Sequence, residues 1–433
     1  MEERTDDAVP GRRSMRLVLG EREMNLWIDT SGLAAAEGLF GIPPLERLRR
    51  TVGRLPQSDH VILSGGRATG WAGAEQGPDE GAPLGLRLRR ALGQAGAPVV
   101  AIDGSNVIDP RLIRFLGTLG QTCVASRGEG TRRAVALTLD PSVIEAIPPD
   151  ARDLREVANA LTASGHASPL DEQRFPAYID KLRRSLPYWV HAVDGPQTRR
   201  ELERQMFLEN YKGSTDLLTR WVYPPLVWPL TQFCTRFKVH PNAVTMLSIV
   251  LAFAAVPLWA HGQWLAGFIC AYVMSVLDSV DGKVARLTLT DSKIGNTLDH
   301  GLDQVHPPFW YFAWAFGLGG LADMSDPLFQ TAVAFVAFYV ADRLVLRVAK
   351  RRLGHALHSS TRLDEQARSI IARRNITMTV MAFALLIGAG HAGFVFVTVW
   401  QGLTLAWHGW RGIWLGFLSP ERAGKEAAQA SSR

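Results

Sequence analysis

Hydrophobic and polar positions fall into two unlike halves along the 433 residues. Up to about residue 212, short apolar runs alternate with charged segments. From about 240 to 415, long runs rich in Trp, Phe, Ala, Val and Leu dominate. In the first half "MRLVLG", "NLWIDTSG" and "HVILSG" read as strands. "PPLERLRRTVGRL" reads as a helix with proline near its start and basic residues toward its end, and "LRLRRALGQAG" as another. "APVVAIDGSNVIDPRLIRFL" reads as strand, sharp turn and helix, "RRAVALTLD" as a further strand, and the Gly-rich "GRATGWAGAEQGPDEGAPLG" as a loop. This alternation predicts a soluble α/β domain over residues 1–150, its first fifteen residues frayed. Residues 151–212 read as a charged helical linker, with "RRELERQMFLENY" its clearest helix.

The second half predicts an all-α membrane domain, so the fold class expected is multi-domain: a soluble α/β module followed by a six-span helical module. Residues 213–238 mix Trp, Tyr, Phe and Arg with Pro224, Pro225 and Pro229, which fits an interfacial amphipathic helix, kinked or interrupted, better than a full span. Within residues 239–412 the six spans are expected at about 242–260, 263–286, 299–321, 328–349, 376–390 and 392–410. Residues 413–433 read as a disordered cytoplasmic tail. Arg236 and Lys238 precede the first span, Arg347, Lys350, Arg351 and Arg352 end the fourth, and Arg373 and Arg374 precede the fifth. By the positive-inside rule these residues place both termini and the 287–298 turn in the cytoplasm.

The formal charge of +6 is moderate, and its basic excess lies in short segments beside apolar runs. That distribution fits anionic headgroups and argues against nucleic acid as a partner. Cys123, Cys234 and Cys270 are widely spaced and odd in number, as expected for free thiols in a reducing or membrane setting. No apolar region follows the charges of the first twenty residues, so a cleaved signal peptide is not expected. The expected location is a bacterial-type cytoplasmic membrane, with the N-terminal domain and any site at the basic ends facing the cytoplasm. Neither an internal repeat of the transporter kind nor a voltage-sensor-like arginine series is present.

The strongest chemistry lies in "DSVDGKVARLTLTDSKIGNTLDHGLD", residues 278–303, directly after the apolar run "WLAGFICAYVMSVL". Asp278 and Asp281 are three apart and share a helix face, and Asp299 and Asp303 are four apart on the next helix. The intervening turn, with Gly295, allows the two faces to converge. Four carboxylates cannot gather unpaired beside an apolar run. Two divalent cations solve the problem, and hard oxygen ligands suit Mg²⁺ or Mn²⁺. Such a pair can also hold a pyrophosphate during displacement at phosphorus. Gly282 and Ala285 leave the helix face bare for a bulky polar ligand, and Arg286 can reach a phosphate. One such acid could as well cap a helix or pair with Lys283, Arg286 or Lys293, but four at this spacing are poorly explained that way.

Asp278, Asp281, Gly282, Ala285, Arg286, Gly295, Asp299 and Asp303 fill every position of the signature of the CDP-alcohol phosphatidyltransferases, a family that residues 213–412 resemble closely. "HPNAVTMLS" at the head of the first span is similar to the family's Pro-Asn-x-x-Thr segment. The resemblance implies that Asp278, Asp281 and Asp299 bind a pair of divalent metals, with Asp303 completing the acidic site and acting as base on the acceptor hydroxyl. It implies that Asp278, Gly282, Ala285, Arg286, Gly295 and Thr245 line the CDP pocket. It further implies a six-span helical fold, a homodimer, and attack of an acceptor alcohol on the β-phosphorus of a CDP-linked donor with release of CMP. The donor expected from the resemblance is CDP-diacylglycerol or a CDP-polyol, and the expected setting is membrane phospholipid or polar-lipid synthesis.

Arg343 and Arg347, four apart, together with Arg373 and Arg374, favour a phosphorylated acceptor. Positive-inside anchoring is the plainer reading of Arg351 and Arg352, and Arg343 can pair with Asp342. His300 and His306 are expected as packing or pocket-wall residues. "GLFGIPPLERLRRTVGRL" and "VVAIDGSNVIDPRLIRFL" look like pieces of a nucleotidyltransferase-like domain of the sugar-nucleotide type. No phosphate-cradling Gly-rich loop lies near residues 16–36, and "SGGRATG" comes a strand too late, which favours a degenerate or regulatory domain. Asp103 ends a strand and is a candidate metal ligand there. The alternatives to a CDP-alcohol phosphatidyltransferase are a bifunctional cytidylyltransferase/CDP-polyol phosphotransferase and a non-catalytic membrane scaffold that keeps a metal site.

Overall fold

The computed structural model describes residues 24–33, 38–55, 60–66, 71, 73–77, 81–179, 182, 184–211, 216–320 and 323–418, side chains included except at 131, 293–294, 296–300, 302–303 and 417–418. The strand expected at 15–20, the first residues of the 213–238 segment and the tail beyond 418 lie outside the described residues. The chain divides into two compact units, residues 1–177 with 186–206, and residues 178–185 with 207–433.

The first unit is a sheet covered on both faces. Its strands and helices in chain order are β1 (Asn25–Asp29), α1 (Pro44–Val52), β2 (His60–Ser64), β3 (Glu75–Gln76), α2 (Leu84–Ala95), β4 (Val99–Asp103), β5 (Val107–Ile108), α3 (Pro110–Thr118), β6 (Cys123–Arg127), β7 (Ala134–Leu139), α4 (Leu154–Ala163) and β8 (Ser168–Pro169). The main sheet has the order β3-β2-β1-β4-β7-β6-β8. β1 runs parallel to both β2 and β4, while β7 is antiparallel to β4 and β6. Alternation along β1 sends Leu26 and Ile28 to one core and Trp27 to the other. The first core is closed by Leu48 and Val52 of α1 and Leu112, Ile113 and Leu116 of α3. The second is closed by Leu88 and Leu92 of α2 and Val157 and Leu161 of α4, a helix inside the stretch expected as linker. Strands β4 and β7 and helices α1 to α3 lie where the periodicity predicts them, whereas β6 has no counterpart in that reading.

Register in β1 and β4 sets Asp29 beside Asp103 at the carboxyl edge of the parallel strands. Each accepts a hydrogen bond from the serine two residues on, Ser31 Oγ at 2.7 Å and Ser105 Oγ at 2.6 Å. Arg87 donates to Asp29 at 3.1 Å. Burial pushes the Asp103 carboxyl above its usual range, against the lowering effect of the Ser105 bonds.

The helical unit comprises the last part of α5 (Pro196–Glu209), then α6 (Tyr223–Arg236), α7 (Pro241–Ala260), α8 (Trp264–Leu287), α9 (Lys293–Gly317), α10 (Pro327–Leu353), α11 (Arg362–Ile370), α12 (Arg374–Leu386) and α13 (Gly390–Ile413). Trp259 of α7 sits at its apolar centre, ringed by Phe268 at 5.1 Å, Trp310 at 5.1 Å and Trp314 at 5.6 Å. Before α6, Leu218–Val222 widens into a π-helical turn. That turn precedes Pro224 and Pro225, whose rings and missing N–H groups do not fit a regular α-helical ladder. Leu217, Trp221, Leu226, Leu230, Phe233 and Phe237 are exposed along this segment, while Tyr223, Val227, Thr231 and Cys234 face inward.

The expectation of six membrane spans is corrected here. Among the described residues three stretches are long and apolar enough to cross a membrane: Pro241–Ala260, Trp264–Leu287 and Arg362–Leu386. The third is divided at Ile371, between α11 and α12. The other long helices are too polar. α9 opens on "KIGNTLDHGLDQ", and α10 carries Asp342, Arg343, Arg347, Lys350, Arg351 and Arg352. α13 buries Thr398, Gln401, Thr404, His408 and Arg411 along one face. Asp342, 1% exposed, is paired with His408 Nδ1 at 2.5 Å, and Arg411 makes a two-pronged contact with buried Asp364 at 2.7 and 2.8 Å. Asp342 with His408 and Asp364 with Arg411 are paired within the protein, and the helices that carry these groups lose the uniform apolarity of a span. Three apolar helices still fit a membrane protein, since most of each apolar window is not buried within the chain.

Candidate active site

Asp278 and Asp281 stand within one turn of α8, on the same face. Asp281 is 3% exposed, and Thr245 Oγ1 of α7 donates to its carboxylate at 2.5 Å. Thr245, expected at a CDP pocket, is thus a donor that orients a site carboxylate. It stands in the first turns of α7, a helix started by His240 as N-cap and Pro241 in its first turn. Asp278 is more open: Arg374 Nη2 donates to its Oδ2 at 2.9 Å, with the two side chains 18% and 23% exposed.

The small residues of the signature stand where a larger one would intrude. A Cβ on Gly282 would come within 3.2 Å of the Arg286 guanidinium, one turn on. Arg286 Nε donates to Asn210 Oδ1 at 3.0 Å, and Ala285 beside it is half-buried. A Cβ on Gly295 would lie 2.8 Å from Asn242 Oδ1, so the start of α9 approaches the start of α7 backbone-first. Gly295 N donates to Ser292 Oγ at 3.0 Å, the N-cap of α9. Asp299 and Asp303 lie four apart on α9, whose backbone sets them on one face, and their side chains lie outside those described.

The arginines expected at an acceptor phosphate divide. Arg373 Nη1 lies 3.2 Å from Asp216 Oδ2, so the adjacent pair Arg373 and Arg374 serves two different aspartates. Arg343 lies over the Tyr339 ring at 5.0 Å and 3.6 Å from Asp342, while Arg347 is exposed. His306, expected as a packing or pocket-wall residue, is buried with its ring 4.6 Å from Trp310. His300 lies among the residues whose side chains are not described.

Several residues outside the predicted set hold this region together. Asp216 is 2% exposed and accepts from Thr219 N at 3.0 Å, which makes it a helix-start residue as well as the partner of Arg373. Asn375 Oδ1 accepts from Ser275 Oγ at 3.1 Å, one turn before Asp278. Lys283, 3% exposed, places its ammonium over the Tyr211 ring at 3.2 Å and the Phe207 ring at 5.2 Å, a cation–π contact that contributes to its burial. The "STDLL" stretch carries a helix-start signal that marks Asp216. Nothing local marks Asn210 or Asn375.

The donor set suits a hard divalent cation: oxygen ligands only, two of them on one bare helix face. Among the described residues no group of three or more His, Cys, Asp or Glu is gathered closely enough to hold a metal ion. Asp278 and Asp281 are two carboxylates of the four named from the sequence, and the side chains of Asp299 and Asp303 lie outside those described.

A family model described as CDP-alcohol phosphatidyltransferase matches residues 238–409. An archaetidylinositol phosphate synthase of Aeropyrum pernix is 29% identical over 174 residues, which cover 40% of this chain and 85% of that protein. A bifunctional IPC transferase and DIPP synthase of Rubrobacter xylanophilus is 26% identical over 203 residues, 47% of this chain and 44% of that protein. Cholinephosphotransferase 1 of Gallus gallus is 28% identical over 138 residues, 28% of this chain and 38% of that protein. The chain thus spans less than half the length of the last two. No match supports a distinct nucleotidyltransferase-like N-terminal domain.

Proposed function

We propose, from the premise that residues 238–409 form a CDP-alcohol phosphatidyltransferase domain, that the transfer takes place at the α8 face bearing Asp278 and Asp281. The domain moves a phosphatidyl-type group from a CDP-linked donor to an acceptor alcohol and releases CMP. One observation carries the placement: a carboxylate 3% exposed, fixed by Thr245, one turn from a second carboxylate on a face kept bare by Gly282.

Asp278, Asp281, Asp299 and Asp303 would hold two Mg²⁺ or Mn²⁺ ions, which when bound neutralise charge on the transferring and leaving phosphates. Thr245 keeps Asp281 aimed at the face, and Asn210 keeps Arg286 extended toward the nucleotide phosphates. Asp303 takes the proton from the acceptor hydroxyl as its oxygen attacks phosphorus. Arg343, Arg347 and Arg374 favour an acceptor that itself carries a phosphate, in keeping with the similarity to the Aeropyrum archaetidylinositol phosphate synthase. The basic ends of α6 and α10 support a cytoplasmic site, and an interfacial lie for residues 213–238 is supported by their exposed apolar side chains.

The test is incubation of the purified chain with CDP-diacylglycerol and Mg²⁺ or Mn²⁺ against a panel of acceptor alcohols and their phosphates, with CMP and the lipid product followed by mass. CDP-polyol donors follow if that donor is inert. Asp303→Asn is expected to lower CMP release by at least about a hundredfold. Release at the wild-type rate would remove Asp303 as the base, and no release from wild type with any donor would leave the scaffold reading.

A second reading, that the first unit makes the CDP-linked donor, is favoured by Asp29 and Asp103 standing side by side at the carboxyl edge of parallel strands. CTP consumption by the full chain with sugar or polyol phosphates tests it, and no turnover across a broad panel ends it.

A further inference from the structure

Arg373 and Arg374 are neighbours in sequence, yet their carboxylate partners differ in character. Asp216 is 2% exposed and is held from three directions: by Thr219 N at 3.0 Å, by Thr219 Oγ1 at 3.0 Å and by Arg373 at 3.2 Å. A buried carboxylate in that position is a fixed anchor, because breaking its ion pair leaves an uncompensated charge. Asp278 is different. It stands on the α8 face proposed above to hold the metals, and its side chain and that of Arg374 are 23% and 18% exposed. A pair that keeps contact with solvent exchanges partners more readily than one fully buried.

We propose, on the basis of the metal reading given above, that Arg374 is the resident counter-ion of Asp278 and that an arriving divalent cation displaces it. The Nη2 that Arg374 gives to Asp278 then turns to a substrate phosphate, while Arg373 stays on Asp216. Arg374 and the cation compete for one carboxylate, so the pair lowers the apparent affinity for the cation. A phosphate that engages Arg374 strengthens cation binding by the same factor that the cation strengthens phosphate binding, because the coupling is reciprocal. The adjacent arginines therefore do unlike work: one secures the start of α12, the other competes with the cation for Asp278.

The measurement is Mn²⁺ titration of the purified full chain in detergent, followed by the free-ion paramagnetic resonance signal. Arg374→Gln is expected to bind Mn²⁺ about three- to tenfold more tightly than wild type. Arg374→Lys, which keeps the charge and serves as the folding control, is expected in between. Arg351→Gln removes an equal charge from the exposed end of α10 and is expected to match wild type. Arg373→Gln is expected to lower the melting temperature without tightening Mn²⁺ binding. Equal or weaker binding by Arg374→Gln, with binding still dependent on Asp278, overturns the counter-ion role and leaves the metal site standing. Tightening of the same size in Arg373→Gln or Arg351→Gln overturns it too, since the effect is then general charge. Absence of any Mn²⁺ binding that Asp278→Asn removes overturns the metal reading and this proposal with it.

Discussion

At the scale of single residues, the site rests on donors that keep acids in place. Thr245 supplies a hydroxyl to buried Asp281, and Thr245→Val would leave that carboxylate one donor short. The expected cost is about 1–3 kcal/mol, read as a lower melting temperature and about tenfold slower CMP release, whereas Thr245→Ser keeps both near wild type. A valine variant as active as the serine variant would remove Thr245 from the site. The acids themselves were legible because charged side chains beside an apolar run demand a partner. Their supports were not. Asn210 and Arg286 are 76 residues apart, Asp342 and His408 66, and Asp216 and Arg373 157. Pairing across such distances is decided by how helices pack, and no local pattern announces it. The expectation that Arg343 pairs with Asp342 illustrates this: the contact is 3.6 Å, while His408 takes the nearer position at 2.5 Å.

At the scale of elements, alternation and 3.6-residue periodicity located β1, β2, β4, β7 and the helices between them, since a covered sheet writes its two faces into the chain. Length alone predicts six spans where three are long and apolar enough among the described residues, because it is blind to the buried polar stripe of α13 and the charged end of α10. Helix packing in the second unit depends on close approach at small residues. A Cβ on Gly267 of α8 would meet the buried Trp259 indole at 2.5 Å. Gly267→Ala is therefore expected to destabilise the chain by about 1–3 kcal/mol, measured as a lower melting temperature in detergent. Gly409→Ala on α13 meets nothing within 4 Å and is the matched control, expected to be neutral or slightly stabilising. Equal effects from the two substitutions would show that the α7–α8 contact is not tightly packed.

At the scale of the whole molecule, a sheet-based unit and a helical unit with exposed apolar surface share one chain. Leu265, Ile269, Phe253 and Val250 are among the exposed apolar side chains of α7 and α8, a surface that water does not tolerate over this extent. The full chain is accordingly expected to remain with membranes after an alkaline carbonate wash, with release into the supernatant as the contrary outcome. The segment leading into α6 ties this surface to the chemistry. Its outward side chains, from Leu217 to Phe237, are those that lipid would grip, and at its start Asp216 holds Arg373. The segment is thus a lever whose long arm is greasy and whose short arm is a single carboxylate. A shift of the segment would carry that carboxylate, the arginine it holds and the first turn of α12 together, and with them the charge one residue from Arg374.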